Sequence, residues 1–115
     1  MMSDSRLTTE FWVQACIKRC NLAGIAATVA HTGDPTSGTV LVKLNRFADG
    51  CTVLSEARKP DGARAWFRGT GATPVPESEA DDYIARNRRR DPDLWVIEIE
   101  GKVDPLPFDG EILAD

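Results

Sequence analysis

The run Arg88-Arg89-Arg90-Asp91-Pro92-Asp93-Leu94-Trp95-Val96-Ile97-Glu98-Ile99-Glu100 dictates how the last third of this chain folds. Its arginines end a helix on concentrated positive charge, and Asp91-Pro92 stops that helix. A residue before proline is pushed out of the α region, and the proline cannot continue the hydrogen-bond ladder. Beyond the proline the residues alternate: Trp95, Ile97 and Ile99 fall on one side, Leu94, Val96, Glu98 and Glu100 on the other. That is a strand with at least one buried face.

Upstream, Thr8 or Thr9 can cap a first helix, and Glu10 sits where the N-terminal dipole favours an anion. Trp12, Val13, Cys16, Ile17 and Cys20 recur at helical spacing as its buried stripe, and Gly24 supplies the stop. Four short strands are predicted next: Ile25 to His31, Val40 to Asn45, Cys51 to Ala57 and Arg64 to Arg68. Asp49-Gly50 and Pro60-Asp61-Gly62 mark the turns. Short connections favour antiparallel neighbours, because a parallel crossover needs about a dozen residues or more. The second helix starts near Pro76, a good first-turn residue. Ala80, Tyr83, Ile84 and Asn87 make its inward face.

The expectation is an α+β fold: helix, four-stranded antiparallel meander, helix, and a final strand joining the sheet, with both helices on one face. The shared core would hold Trp12, Cys16, Cys20, Val42, Leu44, Phe67, Ile84, Trp95, Ile97 and Ile99. Residues 1–7 are expected to be a flexible N-terminus, 8–101 a single domain, and 102–115 an extended C-terminal tail. The tail carries Val103, Leu106, Phe108, Ile112 and Leu113, more apolar surface than sits comfortably in water. It is expected either to lie across its own domain or to pair with a neighbouring copy, a homodimer being slightly favoured.

Composition narrows the function classes. At 115 residues the chain is one domain, and 42% apolar with 28% charged residues is ordinary for a globular protein. A formal net charge of −4 disfavours bulk nucleic-acid binding. No apolar run approaches the ~20 residues of a membrane span, and Met1 to Arg6 lack the basic-then-apolar order expected of a secretory signal. The three cysteines are an odd count without an export signal, so reduced thiols in a cytoplasm are expected.

Several constellations carry chemistry in principle. Arg86, Arg89 and Arg90, near the end of the second helix, form a candidate anion site. Acids at a helix start and bases at its end are also what the macrodipole favours without any ligand. Trp66 between Arg64 and Arg68 shares a strand face with both, and Lys43 and Asn45 stand on the second strand. These five residues are the candidate ligand site, since an aromatic flanked by cations can stack a planar group. An arginine-covered tryptophan closing the core edge has the same pattern.

Cys16, Cys20, His31 and Cys51 could supply four zinc ligands, but structural zinc takes paired ligands on tight loops, and no C-x2-C occurs. No metal or cofactor is expected. Glu98, Glu100 and Lys102 read as E-x-E-x-K, superficially like a metal-dependent nuclease segment. A metal site needs acids converging from neighbouring strands, which this single strand does not supply. No nucleotide-binding loop, nucleophile elbow or H-E-x-x-H is present, and no catalytic residue is identified.

The segments Trp12-Val13-Gln14-Ala15, Lys18 to Gly24, Gly38 to Arg46 and above all Asp91-Pro92-Asp93-Leu94-Trp95 resemble the bacterial domain-of-unknown-function family 1491. The resemblance covers roughly residues 10 to 100. It implies a stand-alone bacterial cytoplasmic protein, and no activity or catalytic residue comes with it. The expected function is a non-enzymatic module that binds a protein or small-molecule partner. The alternative is a nucleic-acid-associated protein, a nuclease included, using Trp66, Arg64, Arg68, Lys43 and the helix-end arginines.

Overall fold

The computed structural model describes residues 7–103 and 106–113. Of the expected flexible N-terminus, residues 1–6 lie outside the described residues, as do 104–105 and 114–115 of the expected tail. Helix α1 spans Thr9–Leu22, with Thr8 as N-cap: its hydroxyl accepts from the Phe11 backbone N–H. The strands are β1 (Ala26–His31), β2 (Val40–Asn45), β3 (Cys51–Arg58) and β4 (Arg64–Arg68). Helix α2 (Glu77–Arg90) is followed by β5 (Trp95–Glu100) and the short β6 (Glu111–Ile112).

Among the described residues the six strands form one mixed sheet in the order β1-β5-β2-β3-β4-β6. The pairs β1/β5, β2/β3 and β3/β4 are antiparallel, whereas β5 runs parallel to β2 and β6 parallel to β4. The expected four-stranded antiparallel meander is therefore wrong. β5 inserts between β1 and β2 instead of joining an edge. The reason is burial: Trp95, Val96, Ile97 and Ile99 are all enclosed, so the strand carries apolar residues on both faces and belongs at the centre. β1, with the sequence Ala-Ala-Thr-Val-Ala-His, has little to bury and is left at the rim. The intervening Thr32–Thr39 connection is long enough to let β1 and β2 part.

The helices lie on opposite faces, which corrects the second half of the fold expectation. α1 packs with Ala27, Val40, Val42, Leu44, Leu54, Trp66, Trp95, Ile97 and Ile99. α2 packs with Leu41, Cys51, Val53, Leu94 and Val96 through Ala80 and Ile84. Since successive strand residues point to opposite faces, a strand apolar at both parities, such as Val40-Leu41-Val42, needs a cover on each side. Ile84 thus belongs to a second core, and Phe67, expected inside, is 42% exposed.

Two loops lock the corner where α2 turns into β5. The Asp34 backbone N–H donates to the Asp93 carbonyl (3.0 Å), and Trp95 Nε1 donates to the Asp34 carbonyl (2.7 Å). A Cβ at Gly33 or Gly38 would overlap the Asp93 carbonyl oxygen, so close backbone approach requires glycine at both places. The chain beyond Gly101 packs on its own domain: Phe108 is buried against Trp12 and Trp66, and β6 pairs with β4.

Candidate functional site

Alternation along β2 turns Val40, Val42 and Leu44 to α1, and Leu41, Lys43 and Asn45 to α2. Lys43 is therefore buried beneath α2, only 5% exposed. Its Nζ donates to Glu77 Oε2 (2.7 Å) and Asp81 Oδ1 (2.8 Å), one helical turn apart, and lies 3.8 Å from Glu98 Oε2 on β5. Asn45 Nδ2 donates to Glu77 (3.3 Å) and Glu98 (3.1 Å), and its Oδ1 accepts from the Phe47 N–H. Burial by itself would lower the lysine pKa. The hydrogen bonds to Asp81 and Glu77 and the charge of Glu98 outweigh it and hold the group above its ordinary value. Lys43 stays an ammonium ion, a poor base and no nucleophile.

Beside this cluster a cleft of about 360 Å3 runs to Ala30, His31 and Arg88. Burial, then the Arg88 charge, pushes the His31 pKa below its usual value.

The other three residues of the expected ligand site face the opposite way. Arg64, Trp66 and Arg68 point to the α1 side of β4. Trp66 is fully enclosed, its ring centroid 5.8 Å from that of Trp12 and 5.1 Å from that of Phe108, and its Nε1 donates to the Asp109 carbonyl (3.0 Å). It offers no face to an incoming ring. Arg64 covers Trp12, its guanidinium carbon 4.2 Å from the ring centroid, and bonds Glu56 (2.7 Å). Glu56 in turn accepts from the Val40 N–H. The sheet thus separates Lys43 and Asn45 from Arg64, Trp66 and Arg68.

Arg68 does line an opening. α1 crosses its face of the sheet from Arg64 at the start of β4 to Val29 on β1. One helix covers one diagonal, and the opposite corner falls to the C-terminal segment. There Leu44, Leu54, Val103, Leu106 and Ile112 form the apolar wall of a cleft of about 450 Å3, with Arg46, Arg68 and Lys102 around it. Arg46 Nη1 donates to Thr52 Oγ1 (3.2 Å), and Lys102 meets Asp49 at 3.1 Å with both side chains exposed. Among the described residues no carboxylate pairs with Arg46 or Arg68. The cleft combines an apolar lining with an excess of positive charge.

The sequence signals only part of it. Arg68 stands out beside Trp66, and the apolar surplus of the tail is plain. Arg46 and Lys102 escape sequence reasoning, because nothing local shows that the tail returns across the ends of β2 and β4.

The remaining candidates are simpler. Arg86, Arg89 and Arg90 lie on the last turns of α2, all three exposed, and Arg90 Nη2 donates to Asn87 Oδ1 (3.1 Å). All three thiols are buried and free. Burial, with Cys20 adjacent, pushes Cys16 up to about 12, and burial likewise raises Cys20 and Cys51. Cys16 and Cys20 lie on the α1 side of the sheet, Cys51 on the α2 side, and no metal-holding cluster occurs among the described residues. Of Glu98, Glu100 and Lys102, the first is held by Asn45 and Lys43, while Lys102 reaches across to Asp49.

The family model described as "Protein of unknown function (DUF1491)" matches residues 7–109. The chain belongs to the DUF1491 family. A crystal structure of a DUF1491 family protein from Caulobacter crescentus CB15 is 38% identical, with a TM-score of 0.82 over 94% of this chain and 100% of that one. An NMR structure of a DUF1491 family protein from Caulobacter crescentus CB15 gives 38% identity and a TM-score of 0.79, over 94% and 97%. A solution structure of an A. tumefaciens protein is 26% identical, with a TM-score of 0.76 over 90% and 92%. No curated protein matches. The family match takes in Arg46, Arg68 and Lys102.

Proposed function

We propose that this DUF1491 member is a non-enzymatic bacterial binding module of the cytoplasm, and that it takes a small amphipathic organic anion. The observation that carries this reading is the cleft on the α1 side. Leu44, Leu54, Leu106 and Ile112 would receive an aliphatic body, and Arg46 and Arg68 its anionic head. Ligand sites are commonly concave and mostly apolar, with a few polar groups that fix orientation. An arginine fork suits a carboxylate in particular. The groups most able to do chemistry support the non-enzymatic side of the reading: Lys43 is held as a cation by its acids, and the thiols are buried and protonated. Three free cysteines fit a reducing compartment, and no helix among the described residues is long and apolar enough to cross a membrane.

Methyl-resolved NMR titration with decanoate, and in parallel with the uncharged decanol, tests the assignment. The expected result is saturable shifts confined to Leu44, Leu54, Val103, Leu106 and Ile112, much weaker with the alcohol. Shifts scattered over the surface, or equal with both compounds, would reject it.

A further inference from the structure

The sheet has two rims, and they differ. β6 ends one rim after two residues, and its Glu111 is tied to Lys59 (2.6 Å). β1 ends the other with six residues, Ala26 to His31, free of proline and of acidic, lysine or arginine side chains. Exposed strand edges are normally blunted by charge, proline or shortness, because their backbone groups are ready to pair with another strand. β1 carries no charge or proline and is not short; the one such device on it is the bulge between Val29 and His31, which leaves residues 26–29 as its regular pairing edge. Alongside it α1 presents a shelf with an apolar floor: Ile17 and Leu22 stand next to Val29, with Leu22 80% and Val29 40% exposed, and Gln14, Lys18 and Asn21 rim it.

On the α2 side of this rim the charges differ from one end of the strand to the other. Ala26 is in register with Glu100, which is exposed on the α2 side of the sheet. At the other end His31 shares with Arg88 a cleft whose acids, Asp81 and Glu98, are taken up by Lys43, and α2 finishes nearby in Arg89 and Arg90. A strand laid antiparallel against β1 that carried the same polarity would bring cation to anion at both ends. A second copy of this chain has that polarity. A register centred on Thr28 sets Val29 opposite Ala27 of the second copy, places Arg88 of each copy near Glu100 of the other, and joins the two apolar shelves on the α1 side. This arrangement closes on itself about a twofold axis, as isologous interfaces do.

We propose that β1 is the dimer-forming edge of this protein, pairing antiparallel with β1 of a second copy into a continuous twelve-stranded sheet. The surface is separate from the cleft, so it stands or falls independently of ligand binding. Sedimentation equilibrium on the full chain, over roughly 1–300 µM, tests it. The wild type is expected to dimerise, more weakly as salt rises. Leu22→Glu with Val29→Glu, both at exposed positions, should leave a folded monomer by circular dichroism. Arg88→Glu should weaken the dimer at least about tenfold, and adding Glu100→Arg should restore it. A wild type monomeric throughout, or a dimer that neither the Leu22/Val29 pair nor Arg88→Glu weakens, would overturn the proposal.

Discussion

Lys43 shows how a single position sets the chemistry of one face. Its strand parity sends it under α2, where only the acids of the first α2 turns and Glu98 make burial tolerable. Replacing it with methionine keeps the bulk but leaves three carboxylates clustered without their cation. Because Glu77 and Asp81 are more than half exposed, water relieves part of that repulsion. The expected loss in chemical denaturation is about 1–3 kcal/mol, with the fold retained. Asp34 gives the pH counterpart. The Ser37 backbone N–H, helped by the Ser37 hydroxyl and the Thr36 N–H, holds its carboxyl below the ordinary 3.8 despite some desolvation. A depressed acid stabilises the fold above its unfolded pKa, and the contribution disappears as pH falls through the folded value. Denaturation midpoints should therefore drop below about pH 4, and Asp34→Ala should flatten that part of the profile. The thiols make a third residue-scale test. Ellman's reagent should find Cys16, Cys20 and Cys51 silent in the native protein and reactive once guanidinium unfolds it.

Elements differ in how openly the sequence declares them. Both helices and the strands from Val40 to Arg68 are written in local patterns, and Thr8, Asp91 and Pro92 mark ends that the structure keeps. Their arrangement is not local. Apolar residues at both parities in Trp95–Ile97 and Val40–Val42 are the signature of a strand covered twice, and that signature places α2 on the opposite face. Loop length points the wrong way, because Thr32–Thr39 permits a hairpin without requiring one. The site divides in the same manner. Arg68 and the apolar tail are visible separately, but their meeting depends on β6 joining β4, which two residues of strand cannot announce. Since the two cores share the sheet, Trp95→Ala on the α1 side should cost about 3–5 kcal/mol, and Ile84→Ala on the inner face of α2 about 2–5 kcal/mol. The measurement is urea denaturation, and both variants should still unfold in one cooperative transition. Two separable transitions would mean that the faces are independent.

At the scale of the whole molecule, the chain beyond Gly101 connects stability to the proposed binding. Phe108 closes the Trp12–Trp66 cluster, Asp109 accepts from both indole N–H groups, and Leu106 and Ile112 wall the cleft. Ending the chain after Gly101 would uncover Trp66 and remove the β6 pairing. The melting temperature should fall by several degrees at least, and tryptophan emission should shift to the red. Binding should be lost in the same variant, so truncation cannot separate the two roles. A change confined to the arginines can. Isothermal calorimetry of decanoate against the wild type and against Arg46→Gln with Arg68→Gln tests the binding claim most directly. An anion seated between these arginines predicts a single site in the wild type and an affinity loss of roughly tenfold or more in the variant, about 1.4 kcal/mol, at unchanged melting temperature. Equal affinities in the two proteins, or no measurable binding to either, would contradict it.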